Sequence, residues 1–169
     1  ALELDENNAA ARSGYSEALS TKGNDLLVKD QANAAKSLFL EALKFNSKNS
    51  AAYFGLAESY TELNETAQAI ASYEKAIEND KDLTEIYVPL GILYYQNGEI
   101  SKADDLLAKA IAKSPDLAEA QFFLGLVRTA QARDEEALAA FTRAKTLDPT
   151  NADAFFNSAE TLERLKCLE

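Results

Sequence analysis

The sequence repeats itself every 34 residues, and this period constrains the fold more than any other feature. Alanine recurs in two registers: Ala35, Ala69, Ala103 and Ala137, and again Ala42, Ala76, Ala110 and Ala144. A third register holds small residues, Gly23, Ala57, Gly91 and Gly125, and a fourth holds large ones, Phe39, Tyr73, Leu107 and Phe141. A fixed period between roughly 20 and 50 residues indicates a protein built from stacked structural repeats.

Within one repeat the recurring positions fall at helical spacing. When each repeat is numbered from 1 to 34, with Ser16 at position 1 of the first, positions 4, 7, 8 and 11 share one helix face. Positions 20, 24 and 27 share a face of a second helix. Small residues at 8, 20 and 27 allow the two helix axes to approach, and the large residue at 24 fills the space beside them. The pattern therefore predicts antiparallel helix pairs.

Polar residues and prolines mark the ends of these helices. Asn97 and Gly98 tolerate left-handed backbone and are expected in the turn between two helices. Pro115 and Pro149 are expected to end second helices. Turns are predicted at 29–32, 64–65, 97–99 and 132–134, with helix over nearly all of the remaining chain.

These positions resemble the tetratricopeptide repeat family, whose pattern has an aromatic residue, Leu-Gly and Tyr on a first helix, and Ala, Phe and a terminal Pro around a second. The third repeat matches best, with Tyr87, Leu90, Gly91, Tyr94, Ala103, Ala110 and Pro115. The fourth departs from the pattern, with Gln121 and Arg128 where aromatics are usual. The resemblance implies an all-α fold, a right-handed superhelical solenoid of antiparallel helix pairs.

The resemblance divides the chain into four repeats and two flanking segments. The repeats are 16–49, 50–83, 84–117 and 118–151. Residues 152–169 resemble one more first helix, with Phe155, Ala159 and Leu162 at positions 4, 8 and 11, which implies a capping helix with a polar outer side.

The start of the chain is interpreted as part of another repeat. Residues 1–8 resemble residues 144–151. Residues 1–15 are therefore expected to be the tail of a preceding repeat and the segment that joins it to the first full repeat. Because the chain contains no methionine, Ala1 is not a translation start, and we expect a processed product or a piece of a longer protein. The final Leu168-Glu169 fits a tag remnant and a natural helix end equally well.

The residue types that carry most catalytic and metal chemistry are scarce in this chain. It has no histidine and one cysteine, Cys167. Asp104 and Asp105 point about 100° apart on a helix, so they are better explained as a solvated face than as a catalytic pair. We therefore predict no catalytic, cofactor-binding or metal residues, and no enzymatic activity of this chain itself.

The charge balance narrows the class of partner. Seventeen basic and 28 acidic residues give a net charge of −11, which repels nucleic acid and anionic membrane surfaces. No apolar run approaches the roughly 18 to 20 residues that span a bilayer, so membrane insertion is not expected. Cytoplasm and periplasm both remain open as the compartment.

The resemblance also implies where a partner binds, because positions 2, 5, 9 and 12 of the first helices face a concave groove in this family. These positions form a stripe roughly 130° around the helix from the packing face. The predicted groove residues are Phe54, Glu58, Glu85, Val88, Ile92, Tyr95, Glu119, Phe122, Leu126, Phe156 and Glu160. Packing between repeats explains the three phenylalanines equally well, whereas Ile92, Tyr95 and Leu126 are expected to be exposed in the groove.

The groove composition predicts the kind of ligand. One subgroup of the family grips a C-terminal carboxylate with Lys, Asn and Arg, but only Asn24 matches that set here. An apolar groove edged by carboxylates instead suits a peptide or amphipathic helix with apolar anchors and basic flanks. Pro89 cannot donate to the carbonyl of Glu85, so it is expected to disturb the start of its helix.

Three functional hypotheses follow. The first is a protein-interaction module, a scaffold or adaptor that presents the groove. The second is the repeat region of a larger enzyme, such as a glycosyltransferase, or of a signalling protein. The third is a scaffold that self-associates through the ends of the stack.

Overall fold

A computed structural model describes residues 8–167, and over this range the chain is helical without a β-strand. The elements are α1 (Ala9–Leu27), α2 (Ala32–Phe45), α3 (Ser50–Glu62), α4 (Thr66–Asn79), a 3₁₀ turn (Thr84–Ile86), α5 (Tyr87–Gln96), α6 (Ile100–Lys113), α7 (Ala118–Ala130), α8 (Asp134–Leu147) and α9 (Ala152–Lys166). The predicted all-α fold is confirmed. Most of the predicted preceding-repeat tail and the Leu168-Glu169 pair lie outside the described residues.

The chain forms two compact units, divided after Leu83. The first unit contains α1 to α4, and the second contains the 3₁₀ turn and α5 to α9. The division coincides with the predicted boundary between the second and third repeats.

The first unit is organised around the Phe39 ring of α2, which is fully buried. A Cβ atom built on Gly23 of α1 would lie 2.7 Å from this ring, and one built on Gly55 of α3 would lie 2.5 Å from its Cε1 atom. Because neither glycine has a side chain, one ring packs directly against the backbones of two helices.

The second unit contains two contacts of the same kind, each between a large side chain and the backbone of a glycine. A Cβ atom on Gly91 of α5 would lie 2.9 Å from Leu107 of α6, and one on Gly125 of α7 would lie 2.5 Å from the Phe141 ring of α8. Leu107 and Phe141 are fully buried. The predicted contact between the small residue at position 8 and the large residue at position 24 is confirmed in the first, third and fourth repeats.

The four turns within the repeats share one backbone conformation. Position 15 of each repeat has a positive φ: Asp30 (56°), Asn64 (59°), Gly98 (79°) and Ala132 (57°). The next amide in each turn donates to the carbonyl five residues earlier, as in the 2.8 Å bond from Glu65 to Tyr60 and the 2.9 Å bond from Arg133 to Arg128. This bond satisfies a carbonyl that the ending helix leaves free. Turns form at all four predicted places.

Pro89 delays the start of α5. This helix ends at Gln96, the repeat position at which α3 and α7 also end, but it starts three positions later, after the 3₁₀ turn. Pro89 lies third in α5, where its missing N–H needs no partner within the helix. The expected disturbance therefore takes the form of a shorter helix.

The outer face of α9 is partly apolar. Its inner side buries Ala154, Ser158 and Thr161, whereas Phe155 and Leu162 are 49% and 41% exposed. These two belong to the positions that a second helix covers in the preceding repeats. The polar outer side expected of a capping helix is thus interrupted by exposed rings and a leucine.

The glycine contacts predict opposite effects for two substitutions in the first unit. Gly55→Ala should destabilise by about 1 to 3 kcal/mol because the new methyl group overlaps the immobile Phe39 ring. Gly14→Ala, in the exposed part of α1 with nothing within 4 Å, should stabilise by about 0.5 to 1 kcal/mol. Chemical denaturation measures both values. A shift of the two variants in the same direction would contradict the packing described.

The left-handed turns predict that Ala132→Gly raises stability by roughly 0.5 to 1 kcal/mol. An L-residue with a side chain is destabilised by about 1 to 2 kcal/mol at this φ, and glycine avoids this cost. Part of the gain is lost because glycine has greater conformational freedom in the unfolded chain. Asn64→Gly is the matched control at the same turn position and should change stability less, since asparagine tolerates this backbone. Thermal unfolding compares the two, and a lowered midpoint for Ala132→Gly would contradict the expectation.

Candidate functional site

In the second unit, four of the predicted groove residues line one open pocket of about 650 Å³. Val88 and Ile92 of α5 are half-buried and form an apolar wall with Pro89, and Glu85 and Glu119 are exposed at the pocket. The late start of α5 places Glu85 in the 3₁₀ turn rather than on the helix. The pocket thus combines apolar surface with the solvated carboxylates of Glu85 and Glu119. A third carboxylate at the pocket, Asp116, is paired with Arg143 of α8.

An aromatic cluster in the same unit joins α5 and α7. The rings of Tyr95 and Phe123 lie 6.2 Å apart, and those of Phe122 and Phe123 lie 5.4 Å apart, all edge to face. Phe122 also packs on the buried Phe141 ring at 5.9 Å. Tyr95, Phe122 and Leu126 are each partly exposed, so the exposure expected of Tyr95 and Leu126 is partial, and Phe122 has a packing role as well.

Phe123 is a member of this cluster that the sequence analysis missed. It stands at position 6 of its repeat, where the preceding repeats hold Gly55 and Pro89, so no recurring residue type marked the position. The signals available for its role in the cluster were its neighbour Phe122 and Tyr95 in the preceding repeat. Its ring lies between those of Tyr95 and Phe122 in the chain of edge-to-face contacts.

The two groove residues predicted on α9 have separate surroundings. Phe156 is 68% exposed. Glu160 pairs with Arg164 on the same helix at 3.5 Å, and Arg164 also bonds Asp134 of α8 at 2.8 Å. Neither Phe156 nor Glu160 lines the pocket that holds Glu85 and Glu119.

A network of charged side chains links α7 and the turn after it to α6 and α8. Arg133 donates to Asp104 of α6 at 2.8 Å and to Glu136 of α8 at 2.6 Å. These hydrogen bonds raise the pKa of the Arg133 guanidinium and lower the pKa of the Glu136 carboxyl. Arg128, in place of the usual aromatic residue, lies 3.7 Å from Asp104. The network ties the C-terminal end of α7 and the turn after it to α6 and α8.

In the first unit, Phe54 and Glu58 of α3 line a separate pocket of about 490 Å³. The remaining lining residues are Asn24, Leu27, Val28, Thr61, Glu62 and Tyr73. The Phe54 and Tyr73 rings meet edge to face at 5.8 Å. Three stripe positions of α1 and α3, besides the two predicted residues, thus contribute to this pocket.

The acidic groups of this pocket influence one another. Burial raises the pKa of the Glu58 carboxyl, and the nearby charge of Glu62 raises it further. Burial is also the main cause of the raised pKa of the Tyr73 phenol, to which the Glu58 charge adds. The negative charges in this pocket are therefore poorly compensated.

Two further properties bear on chemistry. Within residues 8–167, no group of three or more histidine, cysteine or acidic side chains is arranged to hold a metal ion. None of the described helices combines the length and apolar character needed to cross a membrane.

The close contact between a glycine of a first helix and a large side chain of a second helix, together with a left-handed turn at a fixed position, defines a helical repeat protein. A "TPR repeat" family model matches residues 57–98, and a "Tetratricopeptide repeat" model matches residues 88–165. The chain belongs to the tetratricopeptide repeat family, and its fold is an all-α helical repeat solenoid of the kind that serves as a protein-interaction scaffold.

The chain is similar to parts of two longer proteins. The chain is 28% identical to Protein O-mannosyl-transferase TMTC3 of Mus musculus over 98% of this chain and 19% of that protein. It is 29% identical to BBSome complex member BBS4 of Mus musculus over 75% of this chain and 24% of that protein. The chain therefore spans at most about a quarter of either relative.

Solved structures show the same fold. The crystal structure of YrrB, described as a TPR protein with an unusual peptide-binding site, matches 98% of this chain and 81% of its own with a TM-score of 0.81 at 22% identity. The crystal structure of MamA matches 85% of this chain and 84% of its own with a TM-score of 0.78 at 24% identity.

The surroundings of Glu58 predict that its carboxyl titrates above the ordinary value of 4.5. Because the folded state then holds the proton more tightly than the unfolded state, Glu58 makes its contribution to stability below the ordinary pKa, and that contribution is lost as pH rises through the raised pKa. Carbon-13 NMR of labelled glutamate measures the titration. Glu62→Gln should lower the Glu58 pKa only in part, since burial remains. A Glu58 pKa at or below 4.5 would contradict the described burial.

Proposed function

We propose that the second unit binds a peptide or amphipathic helix across the pocket and the aromatic cluster between α5 and α7. The observation that carries the proposal is the partly exposed apolar surface of Val88 and Ile92 beside the carboxylates of Glu85 and Glu119, with the partly exposed Tyr95 three residues further along α5. Partly exposed apolar surface bordered by charge is typical of protein-binding sites. The chain is thus proposed to act as a scaffold or adaptor.

The apolar side chains supply affinity in this proposal. Ile92, Tyr95 and Leu126 stand outside the small-residue positions that set the helix spacing, so their exposed surface is free to be covered by a partner. Covering a large apolar side chain contributes up to about 1.5 to 3 kcal/mol. A few such anchors usually account for most of the affinity of an interface.

The carboxylates select the flanks of the partner. Glu85 and Glu119 are exposed, and the whole chain carries a net charge of −11. Exposed charges contribute mainly to association rate and selectivity, and salt screens them over about 8 to 10 Å. The expected partner therefore has apolar anchors with basic residues beside them, and nucleic acid is not expected to bind.

The comparisons support protein or peptide partners in general. The protein YrrB is described as having a peptide-binding site, and BBS4 is named as a member of a complex. Both likenesses cover repeats of this family. They support binding as the role of the fold, and the residues between α5 and α7 are our assignment.

A second candidate function is the repeat region of a larger glycosyltransferase. The similarity to an O-mannosyl-transferase over 98% of this chain favours it. Sequencing the complete coding region tests this candidate: a transferase domain beside the repeats supports it, and a coding region confined to repeats overturns it. Self-association through the ends of the stack is the remaining alternative, which analytical ultracentrifugation at several concentrations tests.

The groove proposal predicts the behaviour of one double variant. Peptides selected from a displayed random library against the intact protein should lose more than about tenfold in affinity, or 1.4 kcal/mol, for Tyr95→Ala with Leu126→Ala. The helical circular dichroism signal should remain, since neither residue occupies a position that sets the helix spacing. Isothermal calorimetry with a synthetic selected peptide gives the affinity.

Leu40→Ala is the matched control, because Leu40 is an apolar residue of α2 that is 42% exposed and lies outside both pockets. It should leave the affinity unchanged. Full-strength binding of the selected peptides by the double variant would overturn the assignment of the groove.

A further inference from the structure

The first-unit pocket presents hydrogen-bond acceptors around aromatic surface. Thr61 donates its hydroxyl hydrogen to the carbonyl of Ala57 at 3.0 Å. Tyr73, whose hydroxyl is hydrogen-bonded with Thr61, lines the same pocket. The Tyr73 hydroxyl oxygen can accept hydrogen bonds, and the ionised carboxylates of Glu58 and Glu62 have acceptors only.

The pocket contains no cation of its own. No lysine or arginine is among its lining residues. Within residues 8–167, the ion pairs formed by acidic groups do not include Glu58 or Glu62. Glu58 is half-buried, so water only partly compensates its charge. A positively charged donor would relieve the repulsion between the carboxylates.

The walls specify which kind of cation fits. Phe54, which is partly exposed and packs on the buried Tyr73 ring, provides ring surface. Leu27 and Val28, the latter 86% exposed, provide aliphatic surface at the α1 side. A hard metal ion prefers several oxygen ligands around it, which apolar walls do not supply. A guanidinium group stacks on aromatic rings and offers five N–H donors, and the methylene stem of arginine packs on aliphatic surface.

We propose that this pocket receives one arginine side chain of a peptide partner, with the guanidinium bound by Glu58 and the Tyr73 oxygen and stacked on Phe54. The proposal rests on the proposed function in one respect, that the natural ligand is a peptide. It adds the chemistry of one residue of that ligand to the general preference for basic flanks.

The proposal is tested with a small probe on the full chain. Nα-acetyl-arginine methylamide is titrated into isotopically labelled protein, and Nα-acetyl-citrulline methylamide, of nearly equal shape but neutral, is titrated in parallel. The arginine probe should give saturable NMR shifts at Phe54, Glu58 and Thr61. The citrulline probe should bind at least fivefold more weakly. Equal shifts from both probes would overturn the proposal without any variant being needed.

Two variants separate the pocket from general charge attraction. Glu58→Gln keeps the shape of the side chain and should weaken the arginine probe at least fivefold, with its amide spectrum showing an intact fold. Glu17→Gln removes the same charge from an exposed site on α1 outside the pocket and should have little effect. Equal weakening by the two variants, or none by Glu58→Gln, would overturn the proposal.

The test of the arginine pocket and the test of the second-unit groove give separate results. If the arginine probe binds more tightly than the citrulline probe while selected peptides bind the Tyr95 and Leu126 double variant at full strength, the arginine pocket is supported and the second-unit groove is wrong. If the groove variant loses binding while arginine and citrulline behave alike, the proposed function stands and the arginine pocket is wrong.

Discussion

The contact between a side chain of a second helix and the bare backbone of a first helix is what the rest of the structure depends on. Phe39, Leu107 and Phe141 each lie against a glycine at a distance that leaves no room for a Cβ atom. This contact fixes how closely a pair packs and how each first helix is rotated about its axis. The rotation then decides which residues are turned away from the partner helix, and therefore which side chains form the two pockets.

The 34-residue period was sufficient to predict the helices, the turns and the glycine contacts, because each depends on local spacing and on residue size. The sequence did not identify the contact of Gly55 with Phe39, because it joins two repeats and occurs at a position that holds Thr21, Pro89 and Phe123 in the others. Nor did it mark Ala132 as a left-handed residue, since alanine rarely adopts a φ of 57° and is held there by the turn around it.

The candidate site was less predictable than the fold for a related reason. A stripe on one helix can be read from the sequence, but a pocket also depends on what the neighbouring helices contribute. Tyr73 is the clearest case: the period assigns it to packing, and it is 2% exposed, yet its hydroxyl lies within the electrostatic reach of Glu58. Phe123 likewise belongs to the aromatic cluster without belonging to the stripe. Dual roles of this kind can be seen only in the three-dimensional structure.

The position of Phe39 has a consequence for motion. Its ring touches α1 on one side and α3 on the other, so neither helix can separate from α2 without exposing the same buried surface. Local opening of α1 or α3 therefore costs nearly as much as opening the first unit, and fraying is confined to the helix ends. The first-unit pocket has walls from both helices, so its shape is maintained by the cooperativity of the unit. Occupancy of the pocket would therefore slow amide exchange in α2, which contributes no residue to the pocket.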